Sequence, residues 1–341
     1  MNILFRTDAG GKIGLGHYYR TLHLAETLML QGHGITMVHR ASNFWSKQAT
    51  IPSEINLIEM GSTEPEEAIL ARICEEQNID ILYVDLIIDY NEFAFRKIKE
   101  KVTVVFYQNL SSSRHLADIY ILPSLHQQSE FFGEFDEHTK VYQGLEYSIF
   151  NKEIASTNSK TAADLEEVSS VSIITGGSDP ENVLLKIYTL LRHVDYKNIR
   201  FNYHIGASFI FPETIPNKSD LLPNVAFIPY NPEVINNSQI VIAAFGVSVY
   251  ELMSIGMPLI CVGHQLSNAV ALHHLSKVTL ALQDLGLINE LKSEDLNKEV
   301  TELIHNKSSR LRISEAAKNS IDQNGVRRVI EILNNIKPKI S

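Results

Sequence analysis

The sequence predicts an α/β protein of two Rossmann-like domains facing across a cleft, and three observations carry that expectation. Short apolar runs alternate with helix-period segments from the N-terminus onward, a polar stretch interrupts the alternation near the middle, and glycine-rich turns lead from strands into helices in both halves. Strands alternating with helices are the pattern of right-handed βαβ units on a parallel sheet. The 341 residues suffice for about two domains at ~100–200 residues each.

Composition narrows the function. Hydrophobic residues make up 44% and charged residues 21%, as in an ordinary ordered globular protein. A net charge of −10 is a poor platform for phosphate-backbone contacts, so no nucleic-acid partner is expected; a small anionic ligand held by local amides remains compatible. The only cysteines, Cys74 and Cys261, sit far apart in apolar surroundings and read as buried thiols. Arg6 and Asp8 interrupt the N-terminal run MNILFRTDAG, and no uncharged apolar run approaches 18 residues, so a cytoplasmic chain without a membrane span is expected.

In the first half the strands are NILFRTD, GITMVHR, INLIEMG, DILYVDL, VTVVFY, DIYILP and KVYQGL, with helices over about 17–31 and 65–76. Residues 1–150 are read as one Rossmann-like domain. The segment 151–168, polar and rich in Ser, Thr and Asn, reads as an exposed connector. From 169 to 341 a second αβ layer follows, with strands SSVSIITGG, FNYHIG, VAFIPY, IVIAAFG and PLICVG and helices near 182–193 and 248–255. Its tail is helical, and Val326, Val329, Ile330 and Leu333 form an apolar stripe that should pack on one of the domains.

Ligands in such folds bind at the carboxyl ends of the strands, so function is sought in the turns that follow them. The first strand runs into Gly10, Gly11, Gly14 and Gly16 ahead of a helix, a turn whose amides and positive helix end suit an anionic or hydroxyl-rich ligand. Tyr19 takes the place of the third glycine in G-x-G-x-x-G, and no G-x-x-x-x-G-K-[ST] is present. His17, at the head of the helix, can accept a proton from water or a sugar hydroxyl, or can simply cap or pack. Arg6, Asp8 and Arg20 flank the turn, either as substrate contacts or as an ion pair bracing strand to helix.

In the second half, Gly176, Gly177 and Ser178 form a turn whose amides and hydroxyl can reach a diphosphate, with Asp179 as a capping acid. Gly246, Val247, Ser248 and Glu251 form another glycine turn entering a helix, where Glu251 can accept from the vicinal hydroxyls of a ribose. Gln265 and Asn268 can read hydroxyl or acetamido groups of a sugar. His273 and His274 project about 100° apart on a helix and cannot share a metal, and no metal site or other cofactor is assigned.

The ordered set R-x-D-x-x-x-x-x-G-x-G-H-x-x-R at Arg6 to Arg20, GGSDP at Gly176, G-x-S-x-x-E-L-x-x-x-G-x-P at Gly246 to Pro258, Gln265, and D-x-x-G-x-x-R at Asp322 to Arg328 resembles one family over nearly the whole chain. It is that of the nucleotide-sugar hydrolases that release 2,4-diacetamido-2,4,6-trideoxy-L-altrose from UDP on the way to pseudaminic acid, with their spore-coat-polysaccharide relatives. The resemblance implies a GT-B fold, UDP held mainly by the second half, and an inverting, metal-independent hydrolysis in which His17 activates water at the anomeric carbon. Three stretches differ from the family pattern. Ile87 stands where a tyrosine is usual, Gln108-Asn109 where paired acids are usual, and His264-Gln265 where Asn-Gln is usual. A UDP-sugar hydrolase is the leading expectation; a GT-B-like glycosyltransferase using a UDP-sugar donor, and a nucleotide-sugar-binding protein without turnover, are the alternatives.

Overall fold

All thirteen strands found among the described residues run parallel to their sheet neighbours, in two separate sheets. The computed structural model describes residues 1–10, 13, 15–42, 44–45, 49–61, 63–125, 127, 129–133, 135, 137–150, 153 and 157–339. The chain divides into one unit made of Met1–Ser156 with Gln323–Ser341 and a second made of Thr157–Asp322.

In the first unit, β1 (Asn2–Thr7), β2 (Gly34–Arg40), β3 (Asn56–Met60), β4 (Ile81–Asp85), β5 (Thr103–Tyr107), β6 (Ile119–Leu122) and β7 (Lys140–Gln143) lie in the order β3-β2-β1-β4-β5-β6-β7. Helices α1 (Gly16–Leu30), α2 (Glu66–Glu76) and α3 (Glu92–Lys101) cover the sheet. Leu24 and Leu28 of α1 pack with Ile3, Phe5, Ile81 and Tyr83 on one face; Leu70 and Ile73 of α2 and Phe95 and Ile98 of α3 pack with Leu4, Leu82 and Val84 on the other. Burial on both faces explains why the central strands are nearly continuous apolar runs. The strand order reverses between β1 and β4, and the register pairs Thr7 with Asp85 at their carboxyl ends. That reversal is the switch point at which open α/β sheets leave a crevice.

The second unit holds β8 (Ser170–Ile174), β9 (Arg200–Ile205), β10 (Val225–Pro229), β11 (Ile240–Ala244), β12 (Leu259–Gly263) and β13 (Gln283–Leu287), in the order β10-β9-β8-β11-β12-β13. Its helices are α4 (Val183–Leu190), α5 (Pro232–Asn237), α6 (Val247–Ser254), α7 (Leu266–Thr279), α8 (Ser293–His305) and α9 (Lys307–Ser320). Here the order reverses between β8 and β11, so the two glycine turns singled out in this half leave neighbouring strands at a second switch point.

Two features depart from the expected organisation. The last helix, α10 (Gly325–Asn334), belongs to the first unit and not to the second: Val329, Ile330 and Leu333 are buried in the cluster that holds Leu24 and Leu28. Gly325 permits this approach, since a Cβ there would fall 1.9 Å from the Ser148 carbonyl oxygen. The described part of the connector is anchored to the second unit. Leu165 is buried, Lys160 donates its amide to the Ile255 carbonyl at 2.7 Å, and the buried Arg310 donates to the carbonyls of Leu165 and Glu166. A polar stretch can be held by one apolar side chain and its own backbone, which composition does not reveal.

Candidate functional site

The candidate catalytic group lies at the first switch point. β1 delivers the chain to Gly10, whose φ of +93° favours glycine, and α1 begins at Gly16 with no side-chain cap and no acid in its first turn. His17 therefore sits where the helix presents its positive end. β4 ends beside it in Asp85, a carboxylate only 1% exposed, against 19% for the His17 side chain.

Three donors and the His17 ring converge on that carboxylate. His17 Nδ1 lies 2.8 Å from Oδ1, Arg20 donates Nε to Oδ2 at 2.6 Å and Nη2 to Oδ1 at 2.5 Å, and the Thr21 hydroxyl donates to Oδ2 at 3.0 Å. Because His17, Arg20 and Thr21 follow one another at helical spacing, one turn of α1 supplies all of them. Burial works against ionising Asp85, but Arg20 and then His17 outweigh it and hold the carboxyl down at about 2. The Arg20 guanidinium in turn lies over the Tyr107 ring, 5.1 Å from its centroid. His17 Nε2 has no hydrogen-bond partner among the described residues. With the proton on Nδ1 donated to Asp85, the lone pair on Nε2 is left for a ligand or water.

The other residues expected on this turn have different places. Arg6 is 0% exposed and its donors are fully engaged: Nε and Nη2 reach Glu66, Nη1 and Nη2 reach Asp8, and Nη1 also reaches the Thr7 carbonyl. Asp8 further accepts from the Arg40 amide at 2.7 Å. Arg6 and Asp8 are thus a buried brace between β1, β2 and α2, which corrects the expectation that they touch substrate. Arg20 is likewise turned inward, onto Asp85. Gly16 opens α1, while Gly14 and Gly11 lie outside the described residues.

Neither Asp85 nor Thr21 was given a role in the site from sequence, although Asp85-Leu86-Ile87 stands where the family has D-x-Y. The available signal was the acid ending the buried run DILYVD, but its significance depends on β4 lying next to β1, and strand order is not local information. Of the positions that differ from the family pattern, Ile87 is exposed, two residues beyond Asp85. Asn109 is buried and braces the loop after β4, accepting from the Ile88 and Ser111 amides and donating to the Ile88 carbonyl.

At the second switch point, Gly176 has a φ of +85°, and Gly176 and Gly177 are exposed with open space where a Cβ would lie. The turn is supported from β9: a Cβ on Gly206 would fall 2.3 Å from the carbonyl oxygens of both Gly176 and Gly177, and Ser208 donates its amide to the Gly177 carbonyl at 2.9 Å. Asp179 caps α4 through Val183 and Leu184 amides at 2.8 and 2.9 Å, so these helix-start amides are already taken. Gly176 to Ser178 are left as the available part of that turn. After β11, Gly246 precedes α6 with no side-chain cap; Val247 is exposed, and Ser248 and Glu251 are half-buried. Gln265 is exposed at the start of α7, with Asn268 half-buried in its first turn. Among the described residues no group of three or more His, Cys, Asp or Glu side chains is placed to hold a metal ion, and no helix is long and apolar enough to cross a membrane.

Comparison with known proteins supports the class of fold. The spore coat polysaccharide biosynthesis protein SpsG of Bacillus subtilis is 22% identical over 346 residues, with 98% of each chain covered. An uncharacterized protein of Methanocaldococcus jannaschii is 25% identical over 277 residues, which is 76% of this chain but 55% of that protein's length. No protein-family model matches the chain. Among solved structures, MurG of Acinetobacter baumannii superposes with a TM-score of 0.69 at 12% identity, covering 98% of this chain and 99% of its own. The S. aureus MnaA–UDP structure superposes with a TM-score of 0.64 at 14% identity, covering 100% and 99%. The chain has two parallel-sheet α/β domains of the GT-B kind, with glycosyltransferases among its structural neighbours.

Proposed function

We propose that this protein is a nucleotide-sugar hydrolase that cleaves the anomeric C–O bond of a UDP-linked amino or deoxy sugar in surface-glycan biosynthesis. The observation that carries the reading is the Asp85–His17 pair, an ionised carboxylate orienting a part-exposed imidazole at a sheet switch point. His17 Nε2 takes a proton from water, the water oxygen bonds to the anomeric carbon, and the bond from that carbon to the β-phosphate oxygen breaks with its electron pair leaving on UDP. Asp85 stabilises the imidazolium so formed, and solvent removes its proton. Positioned general bases of this kind contribute ~10²–10⁴-fold.

In this reading the amides of Gly176 and Gly177, the Ser178 hydroxyl and the helix start at Gly246–Ser248 hold the diphosphate, Glu251 accepts from the ribose hydroxyls, and Gln265 and Asn268 contact the sugar. Support for UDP comes from the fold's neighbours, which include MnaA with UDP and Phytolacca americana UGT2 with UDP-2-fluoro-glucose. Support for glycan biosynthesis comes from the full-length likeness to SpsG. The same base facing a hydroxyl acceptor would make the protein a transferase, a reading favoured by the glycosyltransferases among the neighbours.

The experiment is to incubate purified protein with a panel of UDP-sugars and follow UDP release with and without acceptors. Release without acceptor supports hydrolysis, release that requires one makes the protein a transferase, and tight UDP binding with no turnover makes it a binding protein. Full activity in His17→Ala would remove the proposed base.

A further inference from the structure

The carboxylate of Asp85 is buried, and a buried charge needs a compensating one. Two groups compete for that role, because Nδ1 of His17 and Nη2 of Arg20 both lie within bonding distance of Oδ1, at 2.8 and 2.5 Å, and 2.8 Å from each other. Arg20 grips both oxygens in a fork and carries its charge at every working pH. The imidazole has a single in-plane direction at Nδ1, so it cannot both accept from Arg20 and donate to Asp85. The Arg20 nitrogen lies closer to the carboxylate than to the imidazole, and its contact with Oδ1 is the shortest of the three.

We propose that Arg20 is a positioning residue that serves as the counter-ion of Asp85, so that His17 is held as a neutral imidazole with its proton on Nδ1 and its lone pair on Nε2. The inference rests on the reading of His17 as the base and says what makes it one. A second cation on the ring would stand 2.8 Å from a guanidinium with one carboxylate to satisfy both. The other titratable groups beside the cluster add no charge: Tyr83 and Tyr107 approach from β4 and β5 as neutral phenols, each pushed up chiefly by burial. Without Arg20 the ring is the cation left to Asp85, and an imidazolium cannot take a proton from water.

The test is ¹⁵N NMR of the full chain labelled at histidine, joined to the pH profile of UDP release. The wild type should show His17 at pH 7 as a neutral ring protonated on Nδ1. Arg20→Gln should show an imidazolium at that pH, with turnover at least about tenfold lower near neutrality and recovered at higher pH, as a shift of one pH unit or more requires. Arg20→Lys, which keeps the charge and loses the fork, should leave the ring neutral; it carries the comparison if the glutamine variant does not fold. A wild-type ring found charged or protonated on Nε2, a neutral ring in Arg20→Gln, or a charged one in Arg20→Lys overturns the proposal. The ring's state is read without turnover, so the expected spectra in a protein that hydrolyses no UDP-sugar would leave this inference standing while removing the hydrolase reading.

Discussion

Replacing Asp85 by asparagine isolates what the carboxylate does. The side chain is fully buried, accepts from Arg20 twice and from Thr21, and has His17 Nδ1 2.8 Å from its Oδ1. An amide of the same shape keeps one acceptor oxygen, and its NH₂ group would face donors. Arg20 is left as a buried guanidinium without a partner charge, which costs about 3–5 kcal/mol, a large share of the ~5–15 kcal/mol typical of a folded domain. His17 loses the acceptor that fixes its tautomer, so kcat should fall by about 10²–10⁴-fold. Asp85 lies beneath the imidazole and out of reach of a ligand, so KM should change little. Urea unfolding measures the first effect and steady-state UDP release the second, on material shown by circular dichroism to be folded. A folded Asp85→Asn protein with wild-type kcat would refute the idea that this pair activates the ring.

Other perturbations have equally definite outcomes. In the second unit burial pushes His193 and His204 down to about 4, from 6.5, so the unfolded chain takes up protons first as pH falls. Their contribution to stability is complete above pH 6.5 and is lost on the way to about 4; chemical-denaturation midpoints across that window should drop, and less steeply in His204→Gln. Asp85 acts lower: its depressed value stabilises the first unit above 3.8, an effect of about 2 kcal/mol lost as pH falls through about 2, visible as a later acid transition. Gly206→Ala must displace the carbonyls of Gly176 and Gly177, and calorimetric titration should show UDP affinity reduced by about tenfold or more with the fold retained. Arg310→Met leaves the carbonyls of Leu165, Glu166, Leu303 and Ile304 without their donor and should lower stability by about 2–4 kcal/mol in thermal unfolding, with earlier protease cleavage within 157–168.

The layered αβ character was legible because strands such as ILYVD and TVVFY are buried on both faces and therefore apolar throughout. Elements that break this pattern were not anticipated. The strand β13, QDLGL, is half-buried along its length at the sheet edge, and α3 buries only Phe95 and Ile98. His17 could be singled out because a glycine turn and a helix start are local features. Its partner could not, since the value of Asp85 depends on which strand lies next to β1. For the same reason Arg6 and Arg20 are alike in the sequence: both flank the turn, but one is consumed by Glu66 and Asp8 and the other by the carboxylate under the imidazole.

The return of α10 to the first unit has a consequence for synthesis. The second unit is one uninterrupted stretch, 157–322, and can complete its core while the ribosome is still at work. The first unit starts to emerge earlier but cannot finish, because Val329, Ile330 and Leu333 are the last pieces of the layer over α1. Until they are released, the apolar flank of Leu24 and Leu28 stays open to water and to chaperones. A nascent chain halted before residue 325 should therefore carry a mature second half and an unfinished first.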